Sequence, residues 1–258
     1  METLRQKLTR GDVAVVCGMG RLLHYNLIQM IGMHGGFDAL WFDLEHVGNS
    51  IEQLEVAALA ARSQGMDSFV RLAPTDYSVI SRSLECGSSG IMAAQIRTAD
   101  EAEQVVRWSK YAPRGVRGLN VSSYDGRFGL APLAEHVERA NRETLVIIQI
   151  ETLESLGQLE QIAAIPEVDM LFIGPSDLSQ ALGVTGDFWN PKCLEAIDAV
   201  AAACKKHGTL WGCLPPDPKY AARAVENGCK LLSITSDLRL VNLGIKALKE
   251  TYKDFLRT

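Results

Sequence analysis

The chain is 258 residues long, 47% apolar and 22% charged, a balance that suits a globular protein with ample material for a buried core. Its formal net charge is −5, and Lys and Arg are scattered without a basic block, which argues against a nucleic-acid or anionic-membrane partner. No apolar run reaches the roughly 18 residues that a membrane span needs, and the opening METLRQKLTRGD lacks the apolar middle of a signal peptide, so a cytoplasmic location is expected.

The polar, amphipathic opening predicts a short helix. A continuous apolar run, VAVVCG (13–18), predicts the first strand. The turn that follows, CGMGRLLHY (17–25), has the G-x-G of a dinucleotide fold, but Leu23 stands where the third glycine belongs, so a tight strand-to-helix turn is expected. Further strands are predicted at ALWFDL (39–44), SFVRL (68–72), GIMAAQI (90–96) and TLVIIQI (144–150). Three more follow at MLFIG (170–174), TLWGCL (209–214) and KLLSIT (230–235).

Between the strands lie apolar residues at helical spacing, as in SIEQLEVAALAARSQG, TADEAEQVVRWSKY, NPKCLEAIDAVAAACKKHG and DPKYAARAVENG. These segments tend to open on Ser, Thr, Asn or Asp and to close at Gly, as caps require, with Pro191 and Pro218 in first turns. The strand runs are continuously apolar, the mark of a parallel sheet covered on both faces. Eight βα units in one chain predict an α/β fold, a (β/α)8 TIM barrel, as a single domain over 1–258 with an N-terminal helix and an extended C-terminal helix. In the tail, Leu240, Leu243, Ile245, Leu248 and Tyr252 form an apolar stripe. It is expected to serve as the eighth barrel helix, with a subunit contact in its terminal turns as the alternative. The six cysteines show no CxxC pairing and read as free thiols.

In such a barrel the catalytic groups come from the C-terminal ends of the strands. Strand 2 ends in Asp43, Glu45 and His46, strand 3 near Arg71, strand 5 in Gln149 and Glu151, and strand 6 at Asp177. Glu151 and Asp177 suit a hard divalent cation, and no Cys or His cluster supports zinc. Each acid alone also fits the first turn of a helix, where it answers the helix dipole. Arg71 interrupts an apolar strand, which suits either an ion pair with a barrel acid or the binding of a carboxylate or enolate oxygen. His46 follows two acids, and Asp43 is placed to orient its ring as a general base. The remaining histidines, His24, His34, His136 and His207, fall in helical patterns and are expected at surfaces or caps. All ten lysines lie in predicted helices or loops, except Lys230 at the start of strand 8. A Schiff-base aldolase needs a lysine at a strand top and is therefore disfavoured.

The stretches GFDALWFDLEHVGNS, VRLAPTD, APRGVRGLN, IIQIET and DMLFIGPSDLSQALG resemble the HpcH/HpaI aldolases in the same order over essentially the whole chain. FIGPSDLS and D-x-E-H are the most specific of these motifs. The resemblance implies a class II, divalent-metal-dependent aldolase acting on a small 2-oxo acid and releasing pyruvate. On that basis Glu151 and Asp177 hold Mg²⁺ or Mn²⁺, other divalent cations being possible, and Arg71 steadies the enolate oxygen. His46, backed by Asp43, moves a proton through water. Gln149 and Gly174 adjoin the bound keto acid, and the backbone N–H groups of Ser176 and Asp177 hold its carboxylate. The family further implies a homo-hexamer, a trimer of dimers with exchanged C-terminal helices. MAAQI, RGLN and SSYDGRFG depart from the family pattern near the mouth, where substrate range is set. Oxaloacetate decarboxylation or enolate transfer by a synthase on the same core is the near alternative. A non-catalytic metal- and oxo-acid-binding barrel is the alternative from another class.

Overall fold

The computed structural model describes residues 2–256. All eight apolar runs form strands: β1 (Ala14–Met19), β2 (Ala39–Asp43), β3 (Asp67–Leu72), β4 (Gly90–Ala93), β5 (Leu145–Ile150), β6 (Met170–Ile173), β7 (Leu210–Cys213) and β8 (Leu231–Ser236). They pair in parallel, each with its sequence neighbour, and β8 closes on β1 to complete the barrel. Ser50, Thr98, Asn190 and Asp217 cap the helices predicted from them, and Pro191 and Pro218 occupy first-turn positions. Among the described residues no helix is long and apolar enough to cross a membrane.

Except for the second half of β8, the strands are buried on both faces, which explains why their sequences do not alternate. Leu40, Phe42, Val70, Ile91, Ile148 and Leu171 face the helices. Val16, Trp41, Phe69, Met92, Ile147 and Phe172 fill the barrel interior. Because side chains alternate in a strand, the inward rows continue upward into polar groups. Ala39 and Trp41 lead to Asp43, Phe69 leads to Arg71, and Leu145 and Ile147 lead to Gln149 and Glu151. The period of two thus delivers these side chains to the C-terminal mouth. Gly18 continues the inward row of β1, where a Cβ would come 2.9 Å from the Trp41 ring.

The N-terminal helix, Leu4–Thr9, plugs the opposite end. Thr3 and Gln6 form a reciprocal capping box at its start. Leu4 and Leu8 join the barrel-interior cluster. Three strand-entry acids receive the helix: Asp67 Oδ2 accepts from the Leu4 amide at 2.8 Å, Asp38 pairs with Lys7 at 2.5 Å, and Asp169 pairs with Arg5 at 2.6 Å.

Three expectations need correction. The fourth strand ends at Ala93 rather than 96, because Gln95 turns into the left-handed region with φ +58°. His136 is buried, not at a surface or a cap; its Nε2 lies 2.9 Å from the Tyr111 hydroxyl, and burial lowers its pKa. The C-terminal helix, Asp237–Thr251, is not a packed eighth barrel helix along its length. Only Asp237 is buried, Leu240 is partly so, and Leu243, Ile245, Leu248 and Tyr252 are each at least half exposed.

Candidate active site

The mouth is a cavity of about 310 Å³ lined by residues from both sides of the barrel, including Arg21, Asp43, His46, Arg71, Gln149, Gly174, Ser176 and Asp177. Glu151 lies beside it and shares a neighbouring cavity with Gln95, Arg97, Asp177 and Gln180. All the residues expected at the site therefore gather at one end of one barrel.

Arg71 is fixed on three sides. Its Nε and Nη2 donate to Asp43 Oδ1 and Oδ2 at 3.1 and 2.7 Å, a bidentate pair across the β2–β3 register. Nη1 stands 3.4 Å from Glu45 Oε2, and the guanidinium carbon lies 4.6 Å from the centre of the Trp41 ring. Trp41 is itself held by its Nε1–H on Ser233 Oγ at 2.8 Å. Burial pushes the Asp43 carboxyl up, but Arg71 and the Glu45 and His46 amides outweigh it, leaving the group below its ordinary range.

This arrangement changes one expected contact. Asp43 does not orient the His46 ring: Oδ1 accepts from Arg71 and the Glu45 amide, with the His46 amide at 3.5 Å, while Oδ2 accepts from Arg71. The carboxylate beside the His46 ring is Glu45, with Oε2 3.6 Å from Nε2. The ring is largely exposed and faces the cavity.

Glu151 is 1% exposed and carries an unusual charge burden for that depth. Burial is the main cause that pushes its pKa up to about 7. The Glu45 and Asp177 charges add to the rise, against the Gln95 amide and Arg71. Glu45 is raised in the same way, first by burial, then by Asp43 and Asp177, against Arg71 and His46. Oε1 of Glu151 accepts from the Gln95 backbone N–H at 2.7 Å and from its Nε2 at 3.0 Å. Oε2 accepts from Gln149 Nε2. Gly174 makes this packing possible, since a Cβ there would stand 2.6 Å from Glu151 Oε2 and closer still to Gln149. Gly174 also caps the helix Pro175–Ala181 without a side chain, so the first-turn amides of Ser176 and Asp177 have no side-chain partner there.

The sequence placed Glu45 at the mouth without a role, and Gln95 was missed as a site residue. Glu45 stood visibly in D-x-E-H, and its burial is the new fact. A glutamine in the otherwise apolar GIMAAQI was the only sequence signal for Gln95.

The donor set fits a divalent cation. Glu45, Glu151 and Asp177 leave an excess of negative charge, and the buried acceptors Glu45 Oε2 and Gln149 Oε1 have no hydrogen-bond partner among the described residues. Among those residues no three acidic, His or Cys side chains form a ready-made cage. Mg²⁺ does not need one, since it commonly takes one or two carboxylates and leaves its other positions to water and substrate. Among the described residues no lysine lines the mouth. Lys110 is buried at the other end, where Nζ donates to the Asn141 and Thr144 carbonyls at 2.8 Å, and burial lowers its pKa to about 8.

Comparison with known proteins identifies the family. The family model described as HpcH/HpaI aldolase/citrate lyase matches residues 24–242. A 5-keto-4-deoxy-D-glucarate aldolase of Klebsiella pneumoniae is 32% identical over 225 residues, covering 87% of each chain. The crystal structure of an HpcH/HpaI aldolase from Desulfitobacterium hafniense superposes with a TM-score of 0.90 at 27% identity, covering 97% of this chain and 98% of that one. The citrate synthase SbnG superposes with a TM-score of 0.88 at 25% identity, covering 98% of each chain. The chain therefore belongs to the HpcH/HpaI aldolase/citrate lyase family, and it is a carbon–carbon lyase of the aldolase type.

Proposed function

We propose that the enzyme is a Mg²⁺- or Mn²⁺-dependent aldolase that cleaves a 2-oxo-3-deoxy or 4-hydroxy-2-oxo acid to pyruvate and an aldehyde. Its substrate is an acid of the kind named for the 5-keto-4-deoxy-D-glucarate relatives. The observation that carries this reading is the acid group Glu45–Glu151–Asp177, with Glu151 buried, set beside Arg71 at a mouth without a lysine among the described residues.

Glu151 and Asp177 are the residues that hold the cation, which when bound supplies Lewis-acid polarisation of the keto oxygen. The Ser176 and Asp177 amides receive the substrate carboxylate, and Gln149 and Gly174 flank the keto acid. His46 takes the proton of the C4 hydroxyl, through water, as the C3–C4 bond breaks to give the aldehyde. The electron pair moves onto the C2 oxygen as an enolate. Arg71, preorganised by Asp43 and Trp41, donates to the charge that develops there. Protonation at C3 completes pyruvate. Oxaloacetate decarboxylation would produce the same enolate, and the likeness to a citrate synthase makes enolate transfer the second reading.

The test is pyruvate release from a panel of 4-hydroxy-2-oxo acids, before and after EDTA and again with added Mn²⁺. Loss of at least about 10²-fold with EDTA, recovered with Mn²⁺, is expected from removing the main electrostatic stabiliser. Full activity after complete chelation rules out the metal-dependent mechanism, and a non-catalytic barrel would release no pyruvate under any condition.

The enzyme is further proposed to be cytoplasmic and to form a hexamer with exchanged C-terminal helices. The exposed apolar residues of Asp237–Thr251 support that assembly.

A further inference from the structure

We propose that Gln95 is a positioning residue for the cation: by donating twice to Oε1 of Glu151, it leaves Oε2 as the oxygen that binds the metal. The proposal rests on the reading of Glu151 as a metal ligand and deepens it.

The backbone at Gln95 is held in a costly conformation. Its φ of +58° lies in the left-handed region, which costs an L-residue free energy and glycine almost none. The flanking residues fix the turn. Ala94 and Ile96 are buried, and the Ala94 amide donates to the Leu72 carbonyl at 2.9 Å. The Arg97 and Thr98 amides donate to Glu101 Oε2 at 2.7 and 3.3 Å. Gln95 itself is exposed, so packing does not account for a side chain at this position. What the conformation achieves is a double contact: the backbone N–H and Nε2 of one residue reach the same carboxylate oxygen, at 2.7 and 3.0 Å. A glycine would supply the first bond at less backbone cost, and the side chain adds the second.

A carboxylate offers about four acceptor sites, two on each oxygen. Gln95 fills both on Oε1, and Gln149 Nε2 fills one on Oε2. The site that remains is on Oε2, beside Gly174, where a Cβ would come within 2.6 Å of that oxygen. Glu151 and Gln95 share their cavity with Asp177, the second acid of the metal reading. Three N–H donors also stop the carboxylate from rotating its other oxygen toward an ion. Glu151 is thus a one-oxygen ligand whose direction is set before the cation arrives. Removing a hydrogen-bond partner of a metal ligand weakens metal binding by about 10- to 100-fold.

The plainer role is to fill out the turn between β4 and the next helix. The two roles differ in what they do to metal affinity. The experiment titrates Mn²⁺ alone, without substrate, into metal-free wild type, Gln95→Met and Gln95→Gly, reading free Mn²⁺ by electron paramagnetic resonance. Gln95→Met keeps an unbranched side chain and loses the Nε2 donor. Gln95→Gly loses that donor too, keeps the backbone N–H and suits the positive φ, so it folds even where Gln95→Met does not. Positioning predicts a Kd for Mn²⁺ raised about 10- to 100-fold in both variants. The Mn²⁺ concentration that gives half-maximal pyruvate release should rise by the same factor, with kcat restored when Mn²⁺ saturates. A Kd within about 3-fold of wild type in either folded variant, well below the effect of a lost ligand partner, would overturn the inference and leave the metal reading intact. A kcat deficit that saturating Mn²⁺ does not restore would overturn it too, by placing Gln95 on the substrate. Wild type that binds no Mn²⁺ overturns the metal reading, and this inference with it.

Discussion

Arg71 shows how a strand position is delivered to the mouth. Its inward direction follows from Phe69 two residues earlier, and Asp43 and Trp41 hold its guanidinium before any substrate arrives. On the proposed mechanism, Arg71→Ala removes the donor for the enolate oxygen and also leaves Asp43 as an unpaired buried acid. A kcat loss of about 10²-fold or more is expected in the pyruvate assay, and wild-type turnover would refute the role. Glu151 offers a test by pH. Its pKa is raised in the fold from 4.5 to about 7, so the folded state favours the protonated form. That contribution is fully present below pH 4.5 and is lost as pH rises through 7, a change on the order of 3 kcal/mol. In EDTA the wild-type Tm should therefore fall between pH 5.5 and 8 more steeply than that of Glu151→Gln. Parallel profiles would show that the buried carboxylate does not titrate as described. The acids at the strand tops were legible in the sequence because chemistry and position coincide there. Two contacts were not: Asp43 turned to Arg71 instead of the His46 ring, and Gln95 reached Glu151 through a positive φ that no residue pattern announces.

At the scale of elements, two-sided burial made the strands readable as apolar runs, and side-chain chemistry at Ser50, Thr98, Asn190 and Asp217 made the helix starts readable. Strand and helix ends depended on tertiary contacts, as at β4, and were less so. The N-terminal helix was predicted, but its use as a plug was not, because Leu4 and Leu8 give no sign of which surface receives them. Leu8 is 4% exposed in the barrel-interior cluster. Leu8→Ala should cost about 2–5 kcal/mol in chemical denaturation, while kcat and KM of the folded enzyme stay near wild type, since the plug lies at the rim opposite the mouth. A selective loss of kcat without loss of stability would place that helix in the catalytic machinery instead.

At the scale of the whole molecule, the C-terminal helix presents an apolar surface that its own barrel does not use. Leu243, Ile245, Leu248 and Tyr252 on the C-terminal helix, with Phe255 just beyond it, lie exposed in one short segment. Clusters of that kind on a folded protein mark contact sites, and a hexamer with exchanged helices would cover this one. Leu248→Asp with Tyr252→Asp should lower the mass measured by light scattering from a hexamer toward smaller species without unfolding the barrel. A wild-type monomer at micromolar concentration would contradict the assembly.

The proposed reaction depends on two carboxylates from neighbouring strands holding one cation against a small keto acid. Anomalous diffraction from crystals soaked in Mn²⁺ and oxamate, a non-reacting pyruvate mimic, can locate that ion. The expected result is a single strong peak bonded to both Glu151 and Asp177, with oxamate completing its coordination next to Arg71. Oxamate bound at the mouth with no metal peak between those two side chains, or a peak at another place, would contradict it.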